Sequence, residues 1–387
     1  MRRSIGLAFL FLFSLGILSA QDQDISSSET IGSDNLDRLE VLASWQGTDN
    51  RFVTASFNAD SSLLALVLND GLIRLLDFPS LDPQSTLAGV SFEATQVKFN
   101  RDNSRLMVSD FYGNYAFWDV GTGEVIREYT LDSDQIWEEV DDDLRLLVTL
   151  NKNGAVIVRE ITSESEILSV EQADSLPYPR ISPDGSLLLT VSAGGFSVWD
   201  ISAGIIAYQF DKPENTELSG FGFSPDGHLI WANWRDWQYG RDVSENRSIV
   251  VFWDTADGSE SAMLNGGGSH FRMYFSKSSQ FVATAGENDQ LQDTIWVWDV
   301  EKRKLLGQAG VPTGGGVAGF NPDGSLLAVA SGTSTRLQFW DANEPEIRVI
   351  AAIDIGSGTF TPPTFSADGR YLLTVGADIR VWGIPLD

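Results

Sequence analysis

The chain has 387 residues, with 12 Trp, 36 Gly, no Cys and a formal net charge of −28 at pH 7. So acidic a surface repels a phosphate backbone and argues against nucleic acid as a partner. The missing thiols exclude disulfides, cysteine nucleophiles and thiolate metal sites.

The N-terminal stretch MRRSIGLAFLFLFSLGILSA has two Arg, an apolar run and small residues ending at Ala20. That is the form of a secretory signal peptide, expected over residues 1–20. The apolar run is short for a membrane span, and without Cys no lipidated cysteine can anchor the mature chain. The expectation is an exported bacterial protein, secreted, periplasmic or in the cell envelope, with no stable membrane insertion after cleavage. Residues 21–37, acidic and rich in Ser, are expected to form a disordered tether.

The folded domain is expected over residues 38–387. It begins with LEVLASW (39–45), an extended stretch with no hairpin partner of its own. A recurring unit follows, clearest in SPDGSLLLTVSAGGFSVWD from Ser182 to Asp200. Pro fixes φ for the first bend and Gly accepts the positive φ that closes it, so the unit reads strand, turn, strand. Related starts stand at Phe57, Phe99, Phe223, Phe275, Phe320 and Phe365. Matching ends close on Asp77, Asp119, Asp200, Asp254, Asp299 and Asp341, and the last copy departs at Gly383. A further copy lies in IWEEVDDDLRLLVTLNKNGAVIVREI, where three Asp replace the usual turn and Arg159-Glu160 replaces Trp-Asp. Its Asn153-Gly154 pair is a strong hairpin signal. Eight copies therefore start near residues 57, 99, 140, 181, 223, 275, 320 and 365, and a period of about 40–50 residues marks a propeller-type array.

These repeats resemble the WD-repeat family of β-propellers over nearly the whole chain after residue 38. The resemblance implies an all-β, single closed eight-bladed propeller of four-stranded antiparallel blades around a central channel. Because such chains place an outer strand first, residues 39–45 would complete the last blade and remove an exposed sheet edge. Most Trp rings would pack between blades. The chain departs from the family in lacking the usual Gly-His before the first inner strand. Several copies also lack the Asp of the second-to-third turn, although Asp70 keeps it. The hydrogen-bonded network that joins these residues to a Ser or Thr and the Trp should be mostly incomplete, leaving blade packing to apolar burial.

No catalytic set emerges. There are two His only, and neither a G-x-S-x-G elbow nor an H-E-x-x-H pair. His270 beside Ser269 does not make a dyad by adjacency alone. Asp141-Asp142-Asp143 and the group Glu287, Asp289 and Asp293 lack calcium-loop spacing and read as solvated turns. The implied function is a non-enzymatic, monomeric interaction scaffold for a protein or peptide, without metal or cofactor. The resemblance puts the second-to-third hairpins and the entries to the inner strands on one face. Two hairpins in neighbouring copies are long, 233–248 and 286–294. The first carries Trp234, Arg235, Trp237, Tyr239 and Arg241, residue types that dominate binding hot spots. Glu287 and Asp289 in the second, and Trp137, Tyr178 and His270 at strand entries, complete the candidates. Alternatively, the first loop folds down and packs its rings on the blade tops. Other functional classes stay open. The Trp118–Glu124 tail is similar to repeat ends of eight-bladed quinoprotein dehydrogenases, whose cofactor sites use adjacent cysteines and calcium. A role like that of the eight-bladed propeller serving outer-membrane assembly, or glycan stacking on Trp234, Trp237 and Tyr239, are the others.

Overall fold

The computed structural model describes residues 25 and 27–386, less 47–53, 69, 88–89, 93, 173–177, 193, 237–246, 268, 289–291, 312–315, 332–334, 343–346 and 357–360. Eight antiparallel sheets follow one another along the chain. Blades 1 to 7 span 54–87, 96–130, 135–171, 180–211, 216–267, 269–310 and 316–354, each with four strands paired in chain order. The eighth, 364–385, contributes three strands of its own. Its fourth is Glu40–Gln46, which pairs antiparallel with the last strand, Asp378–Pro385, from Glu40 opposite Gly383 to Gln46 opposite Asp378. The N-terminal strand thus closes the ring as the repeat pattern requires.

Each blade is built by the same local chemistry. The first strand ends at the aromatic or apolar residue that opens the repeat, and a polar side chain follows at a buried position. That side chain accepts the backbone N–H five residues on, which ties the turn to the start of the second strand. Asn58 does this for Leu63, Asn100 for Arg105, Asp141 for Leu146 and Ser182 for Leu187. Ser224 serves Leu229, Ser276 Phe281, Asn321 Leu326 and Ser366 Tyr371. The fourth turn residue takes a positive φ in every blade, which is why Gly185, Gly227, Gly324 and Gly369 stand there in four of them.

First strands line the central opening and outer strands face solvent, as the run Val125–Thr130, in which no residue is buried, illustrates. Between successive blades lie eight apolar clusters, one per junction, including Leu42, Trp45 and Tyr371 against Leu64, Leu66 and Leu76 between blades 8 and 1. Burial of this kind, worth about 25 cal/mol per Å² of apolar surface, holds the ring. The Trp network is partial, as expected. Trp199, Trp298 and Trp382 donate their indole N–H to Thr190, Thr284 and Thr374 at 2.9, 3.1 and 3.0 Å.

The acidic tether is corrected for its described part. Ser28–Glu29 forms a short strand with Ile384 and Pro385. Ile31 is fully buried and Leu36 nearly so, both in the cluster between blades 7 and 8. Arg38 bonds Glu29 at 3.0 Å and the Pro385 carbonyl at 3.0 Å, and the Tyr371 hydroxyl donates to the Ile25 carbonyl. Ile25 joins the cluster between blades 8 and 1, so three apolar residues, spaced to reach the junctions on either side of blade 8, outweigh the polar composition. Residues 1–24, including the expected signal peptide, lie outside the described residues.

Candidate functional site

Strand direction gives the ring two faces. The second-to-third hairpins and the connections between blades fall on one, here called the upper face, and the remaining turns on the lower. The central opening has a volume of about 850 Å³, within the size range of ligand-holding cavities.

The upper half of its wall between blades 2 and 4 is the most chemically varied. Trp137, in the first strand of blade 3 (Gln135–Val140), stacks on Tyr178 with ring centroids 5.7 Å apart and planes 13° from parallel. The Arg180 guanidinium lies over the Trp137 ring, 5.6 Å from its centroid. On the same side of the strand, Glu139 receives the Arg180 guanidinium at 3.3 Å and the Ile181 N–H at 3.0 Å. Burial raises the Glu139 pKa, opposed by the charges of Arg180 and Lys98. Glu138 points the other way by strand alternation and accepts the Tyr115 hydroxyl at 2.8 Å. Its pKa is also raised, by burial first, with the Tyr115 hydrogen bond opposing and the Asp110 charge adding. Toward the lower end Lys98 pairs with Asp142 at 2.6 Å.

On the upper face the hairpin of blade 2 carries Phe111, 75% exposed, and Tyr112, 84% exposed. Asp110 accepts the backbone N–H of Tyr112 at 2.8 Å and of Asn114 at 2.9 Å, and the Asn114 side-chain amide at 2.6 Å. Gly113 adopts φ 81° and its carbonyl accepts the Leu131 N–H at 2.9 Å. The two exposed rings are therefore carried on a hairpin fixed at both ends.

Of the residues singled out from the sequence, the structure brings Trp137 and Tyr178 together and moves Trp234 elsewhere. Trp234 is 1% exposed, in the cluster between blades 4 and 5, with its ring 6.3 Å from Phe196. The second strand of blade 5 runs from Leu229 to Asp236, longer than the repeat suggests. Its inward alternation of Ile230, Ala232 and Trp234 carries the indole into the core. Trp234 is thus corrected from a surface to a core residue. Arg235 is half-buried; desolvation lowers its pKa against the opposing charges of Glu287, across the junction in blade 6, and Glu217. Trp237, Tyr239, Arg241 and Asp289 lie outside the described residues, and His270 is placed only as a strand residue opposite Gly286. Phe111 and Tyr112 sit on a short hairpin, which loop length does not single out. The signal available was an aromatic pair between Asp110 and Gly113, at the tip of a hairpin. Among the described residues, no group of three or more His, Asp or Glu is placed to hold a metal, and no helix is long and apolar enough to cross a membrane.

No family model matches the sequence. The chain is 24% identical over 326 residues to pre-mRNA-processing factor 19 homolog 2 of Arabidopsis thaliana, covering 82% of this chain and 51% of that protein. It is 31% identical over 108 residues to the retinoblastoma-binding protein 5 homolog of Drosophila melanogaster, covering 27% of this chain and 22% of the relative. The chain thus spans about half the length of the first relative and less of the second. Both are eukaryotic, and a bacterial source draws no support from them. Among solved structures, the C-terminal WD40 domain of Sif2 superposes with a TM-score of 0.65 at 15% identity, over 90% of this chain and 99% of that one. The fold is that of a WD40 propeller.

Proposed function

We propose that this chain is a non-enzymatic interaction scaffold that seats a protein or peptide segment on its upper face, over the channel mouth between blades 2 and 4. The observation that carries this reading is the fixed hairpin presenting Phe111 and Tyr112 on the upper face, the face toward which the channel-wall stack of Trp137, Tyr178 and Arg180 is set. Aromatic side chains on the surface are enriched at protein interfaces, and a hairpin backbone already held in place loses little entropy on binding. The upper face is also the one that carries the long hairpins of blades 5 and 6. The relatives, named for pre-mRNA processing and for retinoblastoma binding, are consistent with interaction work. A glycan-stacking alternative loses one of its three rings, because Trp234 is core.

Selection of a displayed random-peptide library against the purified propeller tests the reading. Enriched peptides should bind wild type and lose at least tenfold in affinity to a Phe111→Ser/Tyr112→Ser variant with unchanged melting. Enrichment indifferent to that variant would remove the upper hairpin from the site. We further propose that residues 1–20 act as a secretory leader that places the propeller outside the cytoplasm. The form of the sequence supports this, and N-terminal sequencing of exported protein, expected to begin at Gln21, tests it.

A further inference from the structure

Blade 3 sets three carboxylates into the channel wall, those of Glu138, Glu139 and Asp142. Two are answered by cations across neighbouring strands: Arg180 for Glu139 at 3.3 Å and Lys98 for Asp142 at 2.6 Å. Glu138 differs. Among the described residues it accepts one hydrogen bond, from the Tyr115 hydroxyl to Oε1, and has no cationic partner. Tyr115 is itself buried, so the carboxylate is oriented while Oε2 has no protein donor among the described residues. Partial burial pushes the Glu138 pKa up, the direction expected of a carboxylate partly withdrawn from water with no cation beside it among the described residues. A carboxylate so placed, in a cavity of about 850 Å³ within an acidic protein, is complementary to a positive charge.

We propose that Glu138 is the counter-ion for one Lys or Arg side chain of the bound segment, which enters the channel from the upper face with its backbone lying across the blade 2 hairpin. This rests on the scaffold reading above and adds the chemistry of the partner: a basic residue at one fixed position of the recognised segment. Glu138 Oε2 accepts the charged N–H, and Tyr115 keeps the carboxylate turned toward the opening. A charge-assisted hydrogen bond of this kind is roughly twice as strong as a neutral one, so it would fix the register of the segment.

The test uses N-acetyl-arginine methylamide, N-acetyl-lysine methylamide and the uncharged N-acetyl-norleucine methylamide, titrated into the whole protein by calorimetry or NMR. At least one cationic amide should bind saturably and weaken with added NaCl, and the norleucine amide should not bind. The Glu138→Gln variant, which still accepts the Tyr115 hydroxyl, should bind the cation at least tenfold more weakly with unchanged melting. Saturable norleucine binding, salt-independent affinity, unchanged affinity in E138Q or no saturable cation binding would each overturn the proposal. The peptide selection separates its failure from that of the scaffold reading. Peptides that depend on Phe111 and Tyr112 but carry no fixed basic residue would leave the scaffold standing and remove the counter-ion.

Discussion

Thr149 and Thr284 occupy the same register in different blades, yet the same substitution should move stability in opposite directions. In blade 6, Trp298 lies opposite Val282, and Thr284, two residues further on, accepts its indole N–H at 3.1 Å. In blade 3, Arg159 lies opposite Leu147 where the Trp would be, so the fully buried Thr149 hydroxyl finds no partner among the described residues. Thr→Val preserves shape and strand propensity, and isolates the hydroxyl. Thr284→Val strands a buried indole N–H and should cost about 1–3 kcal/mol. Thr149→Val removes a buried hydroxyl that already lacks compensation and should gain about 1 kcal/mol, the low end of the penalty for burying such a group. The two variants should therefore differ by roughly 2 kcal/mol or more. Urea denaturation followed by Trp fluorescence and by circular dichroism, with coincident transitions, reads this directly. A Thr149→Val variant that loses as much as Thr284→Val would refute the claim that these hydroxyls act through the indole.

Trp118 presents the converse case: its buried indole N–H has no partner among the described residues, and Val108 stands at the register position where Thr serves elsewhere. Val108→Thr should supply the acceptor and raise stability by about 1 kcal/mol in the same urea assay. Asp141 fills the turn position held by Asn58 or Ser182 in other blades, but as a carboxylate whose pKa is raised by burial, against the opposing N–H groups of Leu146 and Arg145 and the Arg145 charge. Its folded pKa lies above the unfolded value, so its ionisation lowers stability as pH rises from about 3.8 through the folded value. Asp141→Asn keeps the turn acceptor and should melt higher than wild type at neutral pH, the gap closing as the pH falls toward 3.8, measured by calorimetry across pH. At Gly319 an added Cβ would stand 1.8 Å from the Pro363 carbonyl oxygen, whereas at Gly194 nothing lies within 4 Å. Gly319→Ala should lower the melting midpoint sharply and Gly194→Ala should leave it unchanged. Trp45, buried at the junction of blades 8 and 1, should cost about 3–5 kcal/mol on truncation to Ala, and a silent variant in urea denaturation would mean the closing strand is dispensable.

The ring was legible because its period is written in turn chemistry: eight buried polar side chains, each capping a strand five residues on, recur whether the residue is Asn, Ser or Asp. The closing strand was legible because one strand at each end of the chain lacked a partner. Other features were hidden by the same regularity. Residues 25–37 read as tether because Ile25, Ile31 and Leu36 are thinly spread among polar residues, and only the two junctions they fill, on either side of blade 8, give them meaning. Trp234 read as surface because composition drew a loop boundary inside a strand, although the two-residue alternation with Ile230 and Ala232 pointed inward. In IWEEV nothing in the sequence tells which Glu gains a cation, since that depends on Arg180 and Lys98 arriving from neighbouring blades.

Site-specific photo-crosslinking tests most directly whether the upper face of blade 2 is where partners sit. A photoreactive phenylalanine analogue replaces Tyr112 in one variant and Asp257, in an exposed lower-face turn of blade 5, in another, each exposed to a selected peptide at equal concentration. Adducts should form at position 112 and not at 257, and excess unlabelled peptide should abolish them. Adducts at 257 with none at 112 would place binding on the opposite face and contradict the site.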